Sequence, residues 1–128
     1  MKLNPTLLLF LFSFLILITG CAEPQLPNIS ATLTISQAQG KSVFAGNCAA
    51  CHATTPDTII VGPSLAGVSS RAGENSTTEE SRYYIETSIL KPGSKITEGF
   101  QDLMPKTFGE TLSGDEFDAL VDYLMSIK

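Results

Sequence analysis

Tryptophan is missing from this chain, histidine occurs once and cysteine three times. Each shortage excludes something. A core without indole must be built from Phe, Tyr, Leu, Ile and Val. Three cysteines do not make a disulfide scaffold. Cys48, Cys51 and the single histidine, His52, leave a zinc site one ligand short, because Cys21 lies in an N-terminal segment with another use. A thioredoxin-like C-x-x-C pair wants a βαβ setting, and no such pattern surrounds these cysteines. Charge is scarce as well: 16% of residues carry it, the net value is −5, and no basic run occurs. That argues against nucleic acid as a partner and against attraction to an anionic membrane surface. The length, 128 residues, allows one small domain.

The apolar residues are unevenly spread. Leu7 to Ile18 is apolar except for Ser13, and Lys2 is the only charge before it. This core is short for a membrane span and suits a signal peptide. It runs into Ile18-Thr19-Gly20-Cys21, which resembles the bacterial lipobox: an aliphatic residue, two small residues, then a cysteine. The resemblance implies that residues 1–20 are a lipoprotein signal peptide, cleaved before Cys21, whose sulfur then carries the lipid. Cleavage there leaves 128 − 20 = 108 residues, with a net charge of −6 once Lys2 is lost. Residues 21–35 read as a tether: Pro24 and Pro27 break helices and Glu23 is the only charge. Fully extended it reaches ~45 Å from the lipid. An arm docked on a partner fits the same residues.

The organising stretch is Cys48-Ala49-Ala50-Cys51-His52. C-x-x-C-H is the spacing of covalent c-type haem attachment. Two thiols three residues apart reach the two porphyrin vinyl groups, and the next residue, His52, supplies an axial nitrogen to the iron. A covalent haem also gives a small domain an apolar centre that side chains alone would not provide.

Three helices are predicted around the motif. The first begins at Ser36, where Ser36 and Gln39 have capping-box spacing, and buries Ala38, Val43 and Phe44. Gly40 lowers its propensity by ~1 kcal/mol, a sign of close approach by another helix. The second spans 77–89, with Thr77 and Glu80 as its box, Tyr84, Ile85 and Ile89 near one face, and Lys91-Pro92-Gly93 as its stop. The third spans 113–128, opened by Ser113 and Glu116, with Phe117, Leu120, Val121 and Leu124 on one stripe. Residues 54–73 and 95–112 read as loops.

From Ser36 to Lys128 the chain resembles small monohaem cytochromes c. The haem motif, Gly62-Pro63, Met104-Pro105 and the terminal helix follow one another as they do there. Met104-Pro105 through Tyr123-Leu124 looks most like the cytochrome c domain of haem–copper oxidase subunit II, and like monohaem subunits of alternative complex III. The resemblance implies an all-α cytochrome c fold over residues 36–128, in which the N- and C-terminal helices cross through Gly40, Phe44 and Tyr123. It implies that the Pro63 carbonyl accepts from His52 Nδ1–H, which fixes the ring, and that Leu65 packs on the histidine side of haem c. It implies His/Met ligation of iron by His52 and Met104; Met125 belongs to the last helix. Tyr83, Tyr84, Arg71 and Arg82 are candidates for contacting the propionates.

The expected function is single-electron transfer by a lipid-anchored protein on the extracytoplasmic, periplasmic side of a bacterial membrane. It would act between a quinol-oxidising complex and a terminal acceptor in a respiratory or photosynthetic chain. The partners expected are a membrane redox complex, a soluble electron carrier or both, with no small-molecule substrate at the iron. The alternatives are a haem-based ligand sensor or peroxidase-like protein with Met104 displaced, and a subunit whose haem is dispensable for turnover.

Overall fold

A computed structural model describes residues 32–73 and 75–128. The stretch read as a signal peptide, Cys21, and the expected tether as far as residue 31 lie outside the described residues. Among the described residues four α-helices follow in order: α1 (Ile35–Asn47), α2 (Thr78–Leu90), α3 (Phe108–Thr111) and α4 (Gly114–Ser126). Short 3₁₀ turns stand at Val68–Ala72 and Pro92–Ser94. Among the described residues there is no strand, only an isolated antiparallel bridge between His52 and Ile59, and no helix is long and apolar enough to cross a membrane.

The three long helices all start with a reciprocal capping box. Thr77 and Ser113 accept from the backbone N–H groups of Glu80 and Glu116, as expected. In α1 the cap is Thr34 rather than Ser36. Thr34 accepts from Gln37 N–H while the Gln37 side chain accepts from Thr34 N–H. Ser36 lies inside the helix, and its hydroxyl donates to Asp122 Oδ2 at 2.6 Å. The compact unit begins at Leu33, which packs on the core. Each cap contributes about 1 kcal/mol.

α1 and α4 form the most extensive helix pair. Gly40 is the reason they can. A Cβ there would overlap the Ala119 carbonyl oxygen and lie 2.8 Å from Tyr123 Cβ. One turn on, Phe44 meets Tyr123 with ring centroids 5.7 Å apart and planes tilted by 56°. The buried positions of α1 are Gly40, Val43 and Phe44; Ala38, expected among them, is exposed. The stripe of α4 is broader than Phe117, Leu120, Val121 and Leu124, because Ala119 and Tyr123 are buried as well. α2 adds Ile85 and Ile89. The two loop segments hold more order than their aperiodic sequences suggested: the first contains the Val68–Ala72 turn and the second contains α3.

Arg82 of α2 ties this face together. Its Nη1 lies 2.7 Å from Asp122 Oδ1, its Nε 3.0 Å from Glu86 Oε1 and its Nη2 3.7 Å from Asp118 Oδ1. Asp122 thus receives Ser36 from α1 and Arg82 from α2. The Ser36 hydroxyl and, after it, the Arg82 guanidinium hold its carboxyl below the usual carboxylate range.

Candidate functional site

Cys48 is where α1 stops. Its backbone leaves helical geometry (φ −121°, ψ −32°) while its N–H still donates to the Phe44 carbonyl. Its own carbonyl accepts from Cys51 N–H at 3.0 Å and His52 N–H at 2.9 Å. The motif is therefore one tight turn on the end of a helix that is itself locked against α4. Burial, and secondarily the neighbouring Cys51, push the Cys48 thiol up to about 11. At neutral pH it is an uncharged, partly buried group, and a thioether is uncharged too.

His52 Nδ1 lies 2.8 Å from the Pro63 carbonyl oxygen. A carbonyl only accepts, so Nδ1 carries the proton and Nε2 keeps its lone pair. Gly62 lets the loop lie this close: a Cβ there would stand 2.9 Å from both ring nitrogens. Two bonds fold the loop back on the motif, from Val61 N–H (3.2 Å) and Gly62 N–H (2.9 Å) to the Cys51 carbonyl. Leu65 N–H donates to the Ala53 carbonyl at 2.7 Å. The Arg71 guanidinium donates to the Ser64 carbonyl and reaches the Ala66 carbonyl at 3.5 Å.

These residues open onto an apolar cavity. Cys48, Cys51, His52, Pro63 and Leu65 line it, Met104 lines it from the loop before α3, and Ile85, Leu120 and Leu124 contribute from the helices. Met104 is half-buried and packs on the core; Met125 also packs on the core but does not line the cavity. Among the described residues no group of three or more His, Cys, Asp or Glu is placed to hold a metal ion. The donor set is one imidazole nitrogen, one thioether sulfur and two thiols. It suits a metal that brings its own equatorial nitrogens inside an apolar macrocycle, which two thiols can tie down.

A family model described as Cytochrome c matches residues 37–128. The chain belongs to the cytochrome c family. It is an all-α, class I, monohaem cytochrome c, and its cofactor is haem c, held covalently through the Cys48-x-x-Cys51-His52 motif. A search of curated proteins found no match.

Of the residues read from sequence, Cys48, Cys51, His52, Pro63, Leu65 and Met104 come together in this cytochrome's cavity. Cys21 lies outside the described residues. Arg71 and Tyr84, both candidates for the propionates, line the cavity. The other two candidates are used elsewhere: Arg82 is engaged by its three carboxylates, and Tyr83 is 70% exposed away from the lining. Two features go beyond the sequence pattern. Gly62 is part of the Gly62-Pro63 pair, but the pair alone does not show that the glycine lies against the His52 ring. Asp102 and Lys106 form an ion pair of 2.8 Å that brackets Met104 and lies over Gly93. A charge two residues to either side of Met104 is its only trace in the sequence.

Proposed function

We propose that the protein is a lipid-anchored electron-transfer cytochrome, tied through Cys21 to the extracytoplasmic face of a bacterial membrane, with His52 and Met104 as its axial ligands. It serves a respiratory or photosynthetic chain as a subunit or tethered shuttle between a quinol-oxidising complex and a terminal acceptor. One observation carries the ligand assignment. Met104 shares an apolar cavity with a histidine whose Nδ1 is already committed to Pro63, leaving Nε2 for iron. Haem c, when bound, supplies a one-electron ferrous/ferric couple. Met104 sulfur, a soft donor, favours the ferrous form and raises the potential. Pro63 makes the imidazole a stronger donor and fixes its orientation. With His52 and Met104 both donating to the iron, no position would remain at the metal for a small-molecule substrate.

The ligand pair is tested by the weak far-red charge-transfer band of ferric His/Met haem. Wild type shows the band. Met104→Ala loses it, admits CO to the iron and has a lower potential. Met125→Leu keeps it. Retention of the band in Met104→Ala with its loss in Met125→Leu would transfer the ligand role to Met125. The anchor is tested by Cys21→Ser, which moves the holoprotein from the membrane to the soluble fraction if lipid alone holds it. A variant that stays with washed membranes is held by a protein partner.

A further inference from the structure

Lys95 follows the Pro92–Ser94 turn and lies over the Tyr84 ring of α2, its Nζ 5.0 Å from the ring centroid. Both residues line the haem cavity. With Ser88 they also line an outer groove, so these three side chains form a partition between the two. Lys95 itself is exposed on the outer side. Three Arg, Lys, Asp or Glu side chains line the haem cavity: Arg71, Lys95 and Asp102. Two of them are already engaged. The Arg71 guanidinium donates to the Ser64 and Ala66 carbonyls, and Asp102 pairs with Lys106. Among the described residues Lys95 has the Tyr84 ring and no carboxylate at ion-pair distance. A ring face steers an ammonium without neutralising it.

We infer that Lys95, steered by Tyr84, is the counter-charge of a haem propionate and keeps that carboxylate ionised around neutral pH. Haem c brings two propionates to this cavity, and a carboxylate against apolar walls resists ionisation unless a cation answers it. The sequence pointed to Arg71 and Arg82 for that task. One is spent on loop carbonyls and the other on three carboxylates. Lys95, which no motif singles out, is the cation left facing the cavity. The inference goes beyond the electron-transfer reading and needs the haem alone, not the anchor, the partners or the axial methionine. Its consequence is electrostatic. An ammonium beside the haem disfavours ferric iron and an ionised propionate favours it, so the pair offsets while both are charged. The other ionisable side chains facing this place are Tyr84, and Glu79, Glu80 and Tyr83 of α2 across the outer groove. Arg71 and the Lys106-bound Asp102 face it from the cavity side.

The experiment is potentiometric titration of the purified full-length holoprotein from about pH 5 to 8, with the far-red band of each variant recorded alongside. Wild type, Lys95→Arg and Lys95→Met are compared. In wild type and Lys95→Arg the propionate stays ionised, and the potential varies little with pH. In Lys95→Met the unanswered propionate titrates within the range. At the acid end that variant has lost one positive and one negative charge together, and its potential meets wild type. At the alkaline end it has lost only the positive charge, and its potential lies lower. The expected gap there is about tenfold in the ferric-to-ferrous ratio at fixed potential, which is about 59 mV for one electron. Curves that coincide at every pH overturn the assignment and leave Lys95 a surface charge over Tyr84. A Lys95→Met curve parallel to wild type also overturns it, because the charge is then felt while no propionate answers it. A slope lost in Lys95→Met/Glu79→Gln/Glu80→Gln belongs to the groove carboxylates and overturns it too; a slope kept in that variant supports the propionate. Loss of the far-red band in Lys95→Met alone overturns it in favour of a support for the Met104 loop. A band absent from wild type strikes the His52/Met104 ligation instead, and the comparison of the pH curves still decides Lys95.

Discussion

A missing methyl group beside His52 decides how the ring is held. Gly62→Ala places a Cβ against the imidazole, so either the ring turns or the loop lifts, and both break the bond to Pro63. An imidazole without that acceptor is a weaker donor to iron, so the potential of Gly62→Ala rises above wild type in a potentiometric titration. Overpacking also costs about 1–3 kcal/mol of stability, read from denaturant midpoints. The ion pair between Asp102 and Lys106 behaves differently. Both groups are partly or largely exposed (32% and 64%), so solvent and salt screen them. Lys106→Ala therefore changes stability by less than about 1 kcal/mol and keeps the far-red band. Loss of the band would make the pair an essential clamp on Met104. Pro63 and Met104, which the fold brings to one cavity, stand out in the sequence through their neighbours, glycine before one and proline after the other. The crowding of Gly62 against the His52 ring and the pairing of Asp102 with Lys106 show only in the fold, since each acts through what lies against it.

α1 contains two glycines whose surroundings are opposite. Gly40 faces the Ala119 carbonyl and Tyr123, whereas an added Cβ at Gly46 meets nothing within 4 Å. Gly40→Ala must force α1 and α4 apart, at about 2–4 kcal/mol, because the obstacle is backbone. Gly46→Ala instead gains up to about 1 kcal/mol in helix propensity. Thermal unfolding of the two holoproteins separates them, and equal shifts would contradict the helix crossing. Sequence reading placed α2 and α4 at the boxes they use, Thr77 with Glu80 and Ser113 with Glu116, although Ser76 with Glu79 has the same spacing before α2. It misplaced the start of α1 because two overlapping pairs fit, Thr34 with Gln37 and Ser36 with Gln39. The choice between them is made by Asp122, which takes the Ser36 hydroxyl from 86 residues away. Local pattern carries no record of such a partner. The same limit made Arg82 a propionate candidate, although Asp122, 40 residues on, already holds it.

For the molecule as a whole, Asp122 couples folding to pH. Its carboxyl is held down by Ser36 and Arg82, so the folded state binds its proton less readily than the unfolded chain. The stabilisation is complete above the ordinary aspartate value of about 4 and is lost as pH falls through the lower folded value. Asp122→Asn is therefore less stable than wild type between pH 5 and 8, by about 1 kcal/mol given the partial exposure of the pair. The difference in melting temperature narrows as the pH drops below about 4. A gap that did not narrow as the pH fell below about 4 would mean that shape, not charge, holds the three helices.

The crossing of α1 with α4 also sets an order of events at birth. A polypeptide emerges from its N-terminus, so α1 and Cys48–His52 appear well before Ala119 and Tyr123. Until those residues arrive, Gly40 and Phe44 have no surface to close upon, and long-range pairing of this kind is slow to nucleate. Once α4 docks, the same cysteines sit at the edge of a packed core, partly covered on one side. The last helix thus closes one side of the attachment motif, and it does so with residues that the chain delivers last.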